Sequence, residues 1–297
     1  MLYTNVRELD FSFVDLKTID LPSRVLMTSP EFFDVQYVIN PHMTEHVGTV
    51  DYAKALEEWY ALQHAYEQIG LAVHVLEGKP GLPDMVFCAN QTLPFRLPDS
   101  DRNGIVLSEM HADERRREVG YFRELFDAMG YHTLALGTDE SVKFEGMGDA
   151  LWHSGRFLIW GGYGYRTHVD AYTIISDALN VSVCLIKLED PEFYHLDMCL
   201  SILDESTALI YPGAFQQDGL ELIYGLFSRV LEAPEYEARK MFACNAHCPD
   251  RRHVLIQRGA EMTNRLLQEA DFVPVELETS EFMKAGGSVF CMKQMFW

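Results

Sequence analysis

Three segments of the chain alternate apolar and polar residues with the period of an α-helix. From Asp51 to Gly70 the apolar residues fall on one stripe, with Asp51 as a candidate N-cap and Gly70 as the stop. The segment from Asp113 to Gly130 repeats this pattern, and Leu220 to Val230 carries a third apolar stripe. We therefore predict a helix over each segment, with its apolar face in the core.

Short runs rich in β-branched and aromatic residues lie between these helices and are bounded by turn residues. The predicted strands are Arg24 to Thr28, Leu71 to Leu76, Met85 to Cys88, Ile105 to Ser108, Arg156 to Trp160, Val181 to Leu188, Ala208 to Tyr211, His253 to Gln257, Val273 to Leu277 and Ser288 to Met292. Alternation of strands and helices along the whole chain predicts an α/β or α+β domain without a long linker. The units recur loosely, about every 50 to 60 residues, without repetition of sequence.

Composition agrees with a large folded core and narrows the classes of partner. The chain has 297 residues, of which 48% are hydrophobic, and a formal net charge of −21. Such an acidic surface repels nucleic acid and anionic membranes and favours cationic small molecules. No run approaches the roughly 18 apolar residues that span a bilayer, and no N-terminal stretch has the pattern of a secretory signal. A cytoplasmic location is the expectation.

The six cysteines are too sparse for a disulfide framework, so free thiols are expected. Cys244, His247 and Cys248 resemble half of a metal site, but no second pair at ligand spacing accompanies them. No glycine-rich phosphate loop follows the first predicted strand. We therefore expect no metal or nucleotide cofactor.

Reactive side chains occur beside glycine-rich turns in three places. Cys291 follows Gly286 and Gly287 near the end of the sequence, and on its own such a thiol is more typical of a buried structural residue. A nucleophilic thiolate needs a nearby base or positive charge. His195 and Asp197 would point to the same face of a strand and could share a pocket with it.

Seven motifs together resemble the guanidino-group-modifying enzymes, which include arginine deiminases, dimethylarginine dimethylaminohydrolases, amidinotransferases and arginine dihydrolases. The motifs occur in the same order through nearly the whole chain after about residue 24. They are Met27 to Pro30, Tyr37 to Met43, Leu82 to Asn90, Phe144 to Gly146 with Gly148 to Ala150, Gly162 to Arg166, Phe193 to Asp197, and Glu281-Phe282 with Lys284 to Gly287 before Cys291.

The resemblance implies a single α/β domain over residues 24–297, folded as a five-bladed pseudo-symmetric propeller around a polar channel. Residues 1–23 form an extension of unknown role. By resemblance, Cys291 is the nucleophile, His195 the general acid and base, and Glu145 the carboxylate partner of His195. The positions that match substrate-binding residues of the family are Asp84 and Asp197 for the guanidinium, and Arg115, Arg166 and Asn40 for the amino-acid end.

The sequence favours arginine as the substrate but leaves the reaction open. Methylarginine hydrolases usually carry an acidic pair after the Val-Phe of the second motif, whereas this chain reads Cys88-Ala89-Asn90, as arginine dihydrolases do at the last two positions. The Asn90 amide could hold a neutral ureido group. An arginine dihydrolase or deiminase is the first expectation, followed by a dimethylarginine hydrolase and an amidinotransferase.

Two departures from the family pattern bear on substrate choice. Gln91-Thr92-Leu93 replaces a smaller Ala-Gly-Leu, and Ser288-Val289-Phe290 replaces Ala-Ala-Lys before the nucleophile. A non-catalytic binding protein on the same fold is the alternative from another class. The expected partner is a small guanidino compound, without nucleic acid, membrane or cofactor, and homo-oligomerisation is left open.

Overall fold

A computed structural model describes residues 1–100, 102–137 and 141–297. Within these residues the helices are α1 Tyr52–Ile69, α2 Glu118–Ala128, α3 Gly146–Asp149, α4 Val169–Leu179, α5 Gln217–Leu226, α6 Glu235–Lys240, α7 Glu261–Glu269 and α8 Ser280–Met283. The strands are β1 Leu2–Tyr3, β2 Arg24–Thr28, β3 Ala72–Leu76, β4 Thr92–Arg96, β5 Asn103–Leu107, β6 His132–Leu134, β7 Ala150–Trp152, β8 Leu158–Tyr163, β9 Ser182–Lys187, β10 Leu200–Ile202, β11 Thr207–Ile210, β12 Arg229–Glu232, β13 His253–Gln257, β14 Val273–Leu277 and β15 Gln294–Phe296.

The strands of the described residues form five sheets, in the orders β1-β9-β8-β7, β10-β11-β12, β13-β14, β15-β2-β3 and β4-β5-β6. Each sheet contains one parallel pair whose strands are joined by a helix: β2-α1-β3, β5-α2-β6, β8-α4-β9, β11-α5-β12 and β13-α7-β14. Strand β15 pairs antiparallel with β2, so the last strand of the chain lies in the same sheet as β2 and β3. The mixed α/β prediction is therefore confirmed.

The helix predicted from Asp51 to Gly70 is confirmed at both ends. The Asp51 side chain accepts a hydrogen bond from the Lys54 amide, and Gly70 ends the helix with a φ of 96°. The segment from Asp113 to Gly130 divides into a 3₁₀ turn at Asp113–Arg115 and α2.

The third predicted helix is displaced. Helix α5 begins at Gln217 and ends at Leu226, Phe227 is its C-cap, and Val230 belongs to β12. The 3.6-residue spacing of Leu220, Ile223, Phe227 and Val230 thus runs across two elements.

Two predicted strands are wrong, and both belong to the site. The run from Met85 to Cys88 overlaps a 3₁₀ turn at Pro83–Val86, and Ser288 to Met292 is a series of turns before β15. Both runs are buried on all sides, so their apolar composition carries no periodicity that distinguishes a strand from a compact turn.

Residues 1–23 pack onto the domain. Strand β1 adds a parallel edge to β9, and the Lys17 carbonyl accepts the Phe157 amide at 2.9 Å. The Trp297 indole donates to the Asp20 carbonyl at 2.7 Å. No helix of the described residues is long and apolar enough to cross a membrane.

Candidate active site

The residues predicted for chemistry converge on one buried cavity. Seven of them line it directly: Asn40, Asp84, Asn90, Arg115, Arg166, His195 and Cys291. Glu145 and Asp197 are fully buried behind this lining and contact His195 and Cys291 respectively. The cavity has a volume of about 20 Å³, which is room for roughly one water molecule. A flat cation therefore requires its lining side chains to move apart.

His195 is held by a short, charge-assisted hydrogen bond. Its Nε2 lies 2.6 Å from Glu145 Oε2, and because a carboxylate accepts, Nε2 carries the proton. His195 precedes a 3₁₀ turn at Leu196–Met198, so the strand-like alternation predicted for His195 and Asp197 is wrong. The turn nevertheless places both side chains at the cavity.

Glu145 has a full set of partners. Besides His195, Arg166 Nη1 lies 3.2 Å from Oε2 and the His111 amide donates to Oε1 at 2.9 Å. Burial opposes its charge, but the Arg166 guanidinium and the hydrogen bond from His195 hold the pKa of Glu145 well below its usual value. Glu145 is thus a fixed anion that orients the imidazole.

Asp149 ties the backbone of Glu145 to that of the His195 turn. The Thr167 hydroxyl accepts the Glu145 amide at 3.1 Å and donates to Asp149 Oδ2 at 2.7 Å. The Leu196 amide donates to Asp149 Oδ1 at 3.1 Å. Burial raises the pKa of Asp149 to about 7. No role was predicted for Asp149 from the sequence, although it lies within the Gly148 to Ala150 part of the fourth motif.

Cys291 sits between an acceptor and a donor. Its Sγ lies 3.1 Å from Asp197 Oδ2, and Asn245 Nδ2 lies 3.2 Å from the sulfur. Asn245 Oδ1 accepts the amides of Ser288 and Cys291 at 3.1 and 3.4 Å, which folds the segment into turns around that one side chain. Burial, reinforced by the Asp197 charge, raises the pKa of the Cys291 thiol well above its usual value. The thiol is therefore protonated in this free site.

Two carboxylates beside the thiol have acceptor oxygens without a partner. Both oxygens of Asp84 and Oδ1 of Asp197 are buried with no hydrogen bond among the described residues. The Tyr37 hydroxyl interacts with Asp84 but does not meet hydrogen-bond geometry. Burial raises the pKa of Asp84, although Arg115 lowers it, and burial raises that of Asp197 to about 7. These oxygens are acceptors awaiting a donor.

Arg115 is buried and almost fully engaged, so it does not lie on a solvated helix face. Its Nε and Nη2 pair with Glu118, and Nη2 also donates to the Asp84 and Phe87 carbonyls. Its Nη1 donates to Asn90 Oδ1 at 2.9 Å. Asn90 Nδ2 is buried without a partner among the described residues. The pairing with Arg115 thus fixes which end of the Asn90 amide carries its unused donors.

Gln91 supports the Arg115–Glu118 pair through a hydrogen bond to Glu118. Its Nε2 lies 2.6 Å from Glu118 Oε2. Burial raises the pKa of Glu118 to about 7, against the opposing charge of Arg115. The larger residue that the chain carries after Asn90 therefore supports the Arg115 pair and does not line the cavity.

Arg166 and Asn40 close the cavity on the other side. Arg166 Nη2 donates to the Ile39 carbonyl at 2.8 Å, and its Cζ lies 4.6 Å from the centre of the Tyr194 ring. Asn40 Nδ2 donates to the Ala285 carbonyl at 3.0 Å. Gly286 has a φ of 87°, and an added Cβ would lie 2.6 Å from the Tyr194 hydroxyl oxygen, so glycine is required there.

Comparison with known proteins places these features in a family. Residues 40–296 match the profile of the eukaryotic N,N-dimethylarginine dimethylhydrolases. A bifunctional arginine dihydrolase/ornithine cyclodeaminase from Nostoc sp. is 34% identical over 91% of this chain, which spans 37% of that relative's length. The dimethylarginine dimethylaminohydrolase of Mycobacterium tuberculosis is 35% identical over 90% of this chain and 84% of that relative's length.

Solved structures match at the level of the fold as well. The N-terminal domain of ArgZ, a cyanobacterial arginine dihydrolase crystallised with its substrate, has a TM-score of 0.85 and 31% identity, covering 93% of this chain and 98% of its own. These similarities agree with the mixed α/β architecture described above.

Proposed function

The chain belongs to the N,N-dimethylarginine dimethylhydrolase family, and from this premise we propose that it is a hydrolase that attacks the guanidinium carbon of arginine. One observation carries the proposal: the thiol of Cys291 and the imidazole of His195 line one buried cavity with the partnerless carboxylate of Asp84. An unpaired buried carboxylate is costly, and a cationic substrate would supply the missing donors.

Asp84 and Asp197 would bind the guanidinium group. They offer three unused acceptor oxygens, and the planar fork of a guanidinium presents paired N–H groups to carboxylates. Because Asp197 also contacts Cys291 Sγ, a guanidinium held there would lie with its central carbon beside the sulfur.

Substrate binding would activate the nucleophile. Burial and the Asp197 charge raise the pKa of Cys291 in the free site. A bound cation beside the sulfur favours the thiolate and lowers that pKa. The thiolate would thus form when substrate is present, which protects the free enzyme from side reactions.

The chemistry would run in two halves. The Cys291 thiol gives its proton to His195 and the thiolate adds to the guanidinium carbon. His195 passes that proton to the departing nitrogen, so that a C–S bond forms, a C–N bond breaks and ammonia leaves. His195 then takes a proton from water, which attacks the carbon and breaks the C–S bond. Glu145 keeps the imidazole oriented through both halves.

The amino-acid end of the substrate is assigned to Arg115, Arg166 and Asn40. Two buried guanidinium groups at one cavity suit a carboxylate. Arg115 would contribute through Nη1, whose second N–H has no acceptor among the described residues. Asn40, which bonds the Ala285 carbonyl, would act by holding the turn before Gly286.

The reaction we favour is that of an arginine dihydrolase, which carries arginine through citrulline to ornithine, ammonia and carbon dioxide. The partnerless Nδ2 of Asn90 supports it, because an amide donor suits the neutral ureido oxygen of citrulline. Hydrolysis of methylated arginines is the second candidate, supported by the family profile and the mycobacterial relative.

We also propose that the five sheets are five blades of a closed propeller. Five parallel pairs with a helix between their strands support this arrangement, as does the pairing of β15 with β2. The net charge of −21 supports a small cationic partner rather than nucleic acid or an anionic membrane.

Product analysis tests the proposal. The protein would be incubated separately with arginine, asymmetric dimethylarginine, citrulline and agmatine, and with arginine plus glycine, and the products identified by mass spectrometry. Ornithine and ammonia are expected from arginine; dimethylamine from the methylated substrate or transfer to glycine would replace the dihydrolase assignment. Cys291→Ala should lower turnover by about 10⁴ or more, and near-normal turnover would refute the nucleophile.

A further inference from the structure

Asn245 is a buried amide in the segment between α6 and β13, and the proposed chemistry gives it no role. Its backbone amide donates to the Phe242 carbonyl at 2.8 Å, and its carbonyl accepts the Phe290 amide at 3.1 Å. Phe242 has a φ of 45°, in the left-handed region that a bulky residue rarely adopts. The segment is thus held in a strained turn, and such strain clusters at functional sites.

The partners of the Asn245 side chain fix which end of the amide faces the sulfur. Oδ1 accepts the amides of Ser288 and Cys291, and a backbone N–H group can only donate. Nδ2 donates to the Asp197 carbonyl at 3.0 Å, and a carbonyl can only accept. A rotated amide would therefore oppose like groups on both sides. The remaining N–H of Nδ2 is directed at Cys291 Sγ, 3.2 Å away.

The two side chains that bond to Sγ have opposite effects on the thiol. Asp197 Oδ2 accepts from the sulfur at 3.1 Å, whereas Asn245 is the one side-chain donor to it among the described residues. Burial and the Asp197 charge raise the pKa of Cys291, and the hydrogen bond from Asn245 lowers it. When the thiol loses its proton, its bond to Asp197 is lost. The bond from Asn245 becomes charge-assisted and therefore stronger.

We propose that Asn245 is a further catalytic residue, whose Nδ2 donates a hydrogen bond to Sγ and stabilises the Cys291 thiolate. The donor acts when the thiolate adds to the guanidinium carbon and again when the C–S bond breaks and the thiolate leaves. Asn245 transfers no proton, since the thiol proton goes to His195. This inference rests on the proposed function, because it takes Cys291 as the nucleophile.

Asn245 does not line the substrate cavity, so its effect should fall on turnover and not on binding. Asn245→Asp keeps the size of the side chain and the acceptor for Ser288 and Cys291, but it replaces the donor with an acceptor oxygen. We expect kcat for arginine to fall about 100-fold, the cost of removing one preorganised donor. KM should change by less than about threefold, since the lost bond does not contact the bound substrate.

Gln257→Glu is the matched control, because it makes the same change at another buried amide. Gln257 Oε1 accepts the Thr279 amide at 2.7 Å, and Nε2 donates to the Arg258 carbonyl at 3.3 Å. Neither atom contacts Cys291. The control should keep kcat within about threefold of the wild type.

Alkylation by iodoacetamide separates a donor to the sulfur from a residue that only holds the turn. At pH 8, Cys291 of Asn245→Asp should react about tenfold more slowly than in the wild type, because the thiolate is less populated. A loosened turn would expose the thiol and make the reaction faster. The other cysteines are buried free thiols, so their labelling reports unfolding: Cys88, Cys184, Cys199, Cys244 and Cys248.

The inference is overturned if kcat of Asn245→Asp stays within about threefold of the wild type, or if its Cys291 reacts at the same rate or faster. Where labelling of all six cysteines shows that this variant is unfolded, Asn245→Ala replaces it, since alanine introduces no charge. A fall in kcat at constant KM then supports the donor role. A matching rise in KM, or unfolding of this variant too, makes Asn245 structural. Failure of the proposed function differs from all of these, because Cys291→Ala would keep its turnover of arginine.

Discussion

Glu145 and Asp84 are both buried carboxylates at one site, but they differ in the number of their hydrogen-bond partners. Glu145 accepts hydrogen bonds from His195 and the His111 amide and pairs with Arg166. Both oxygens of Asp84 are without a hydrogen bond among the described residues. The first carboxylate is in direct contact with an arginine, whereas the second one feels the charge of Arg115 but has no hydrogen bond or ion pair among the described residues.

This difference divides the site into two sets of residues. The framework, or paired side, has polar side chains with partners inside the protein, whereas the binding surface, or unpaired side, has polar atoms without a partner. Buried polar atoms are nearly always satisfied, so unpartnered atoms at a cavity are candidates for contact with a ligand. The paired side includes the Arg115–Glu118 pair, and the unpaired side includes Asn90 Nδ2 and Asp197 Oδ1. Substitutions on the paired side should act first on stability, and those on the unpaired side first on catalysis.

Glu145→Gln should produce the largest effect, a loss of about 3 to 5 kcal/mol in the free energy of unfolding. Glutamine keeps the size of the side chain but leaves the buried Arg166 without its counterion. Urea denaturation at neutral pH measures the loss.

The matched control is Glu109→Gln, because Glu109 pairs with Lys143 at 3.3 Å while being partly exposed. That variant should lose at most about 1 kcal/mol. If Glu145→Gln lost no more unfolding free energy than Glu109→Gln, Glu145 would not belong to the framework, and the division between framework and binding surface would be wrong.

Asp84→Asn should lower catalysis without lowering stability. Loss of the charge should lower kcat/KM for arginine by about 100-fold to 1000-fold, because the guanidinium loses its countercharge in a buried site. Stability should be unchanged or higher, since the substitution removes an unpaired buried charge. Steady-state kinetics and thermal unfolding of the same preparation measure both. A kcat/KM within tenfold of the wild type would exclude Asp84 from guanidinium binding.

The fold was predictable where local chemistry agrees with the final structure. Asp51 and Gly70 bound α1 because the cap and the left-handed residue act within one helix turn. The strands predicted from Met85 to Cys88 and from Ser288 to Met292 are wrong because the geometry of these segments depends on distant partners. Asn245 accepts the Ser288 and Cys291 amides across more than forty residues of sequence, and no local pattern contains that contact.

The site was predictable by resemblance, and the properties of its residues were not. The nine residues predicted from the motifs line one cavity or contact its lining, although their spacing in the chain gives no distances between them. Nothing in the sequence distinguishes the satisfied Glu145 from the unsatisfied Asp84, because satisfaction is set by what packs around each carboxylate. Asp149 was missed for the same reason, since its bonds to Thr167 and Leu196 arise only in the folded chain.

The smallest predicted effect is a pH dependence that separates the two sides without mutation. Arg166 and His195 keep Glu145 ionised across neutral pH, whereas burial raises the pKa of Asp197 to about 7. Below that value the Asp197–Cys291 pair gains a proton and loses attraction for a cation, so kcat/KM for arginine should fall about tenfold per pH unit. The acid limb of kcat should lie at lower pH, because bound guanidinium favours the carboxylate. Rate profiles from pH 5.5 to 8.5 test this. A kcat/KM that stays constant down to pH 5.5 would mean that Asp197 titrates as a solvated carboxylate, whose ordinary pKa is 3.8.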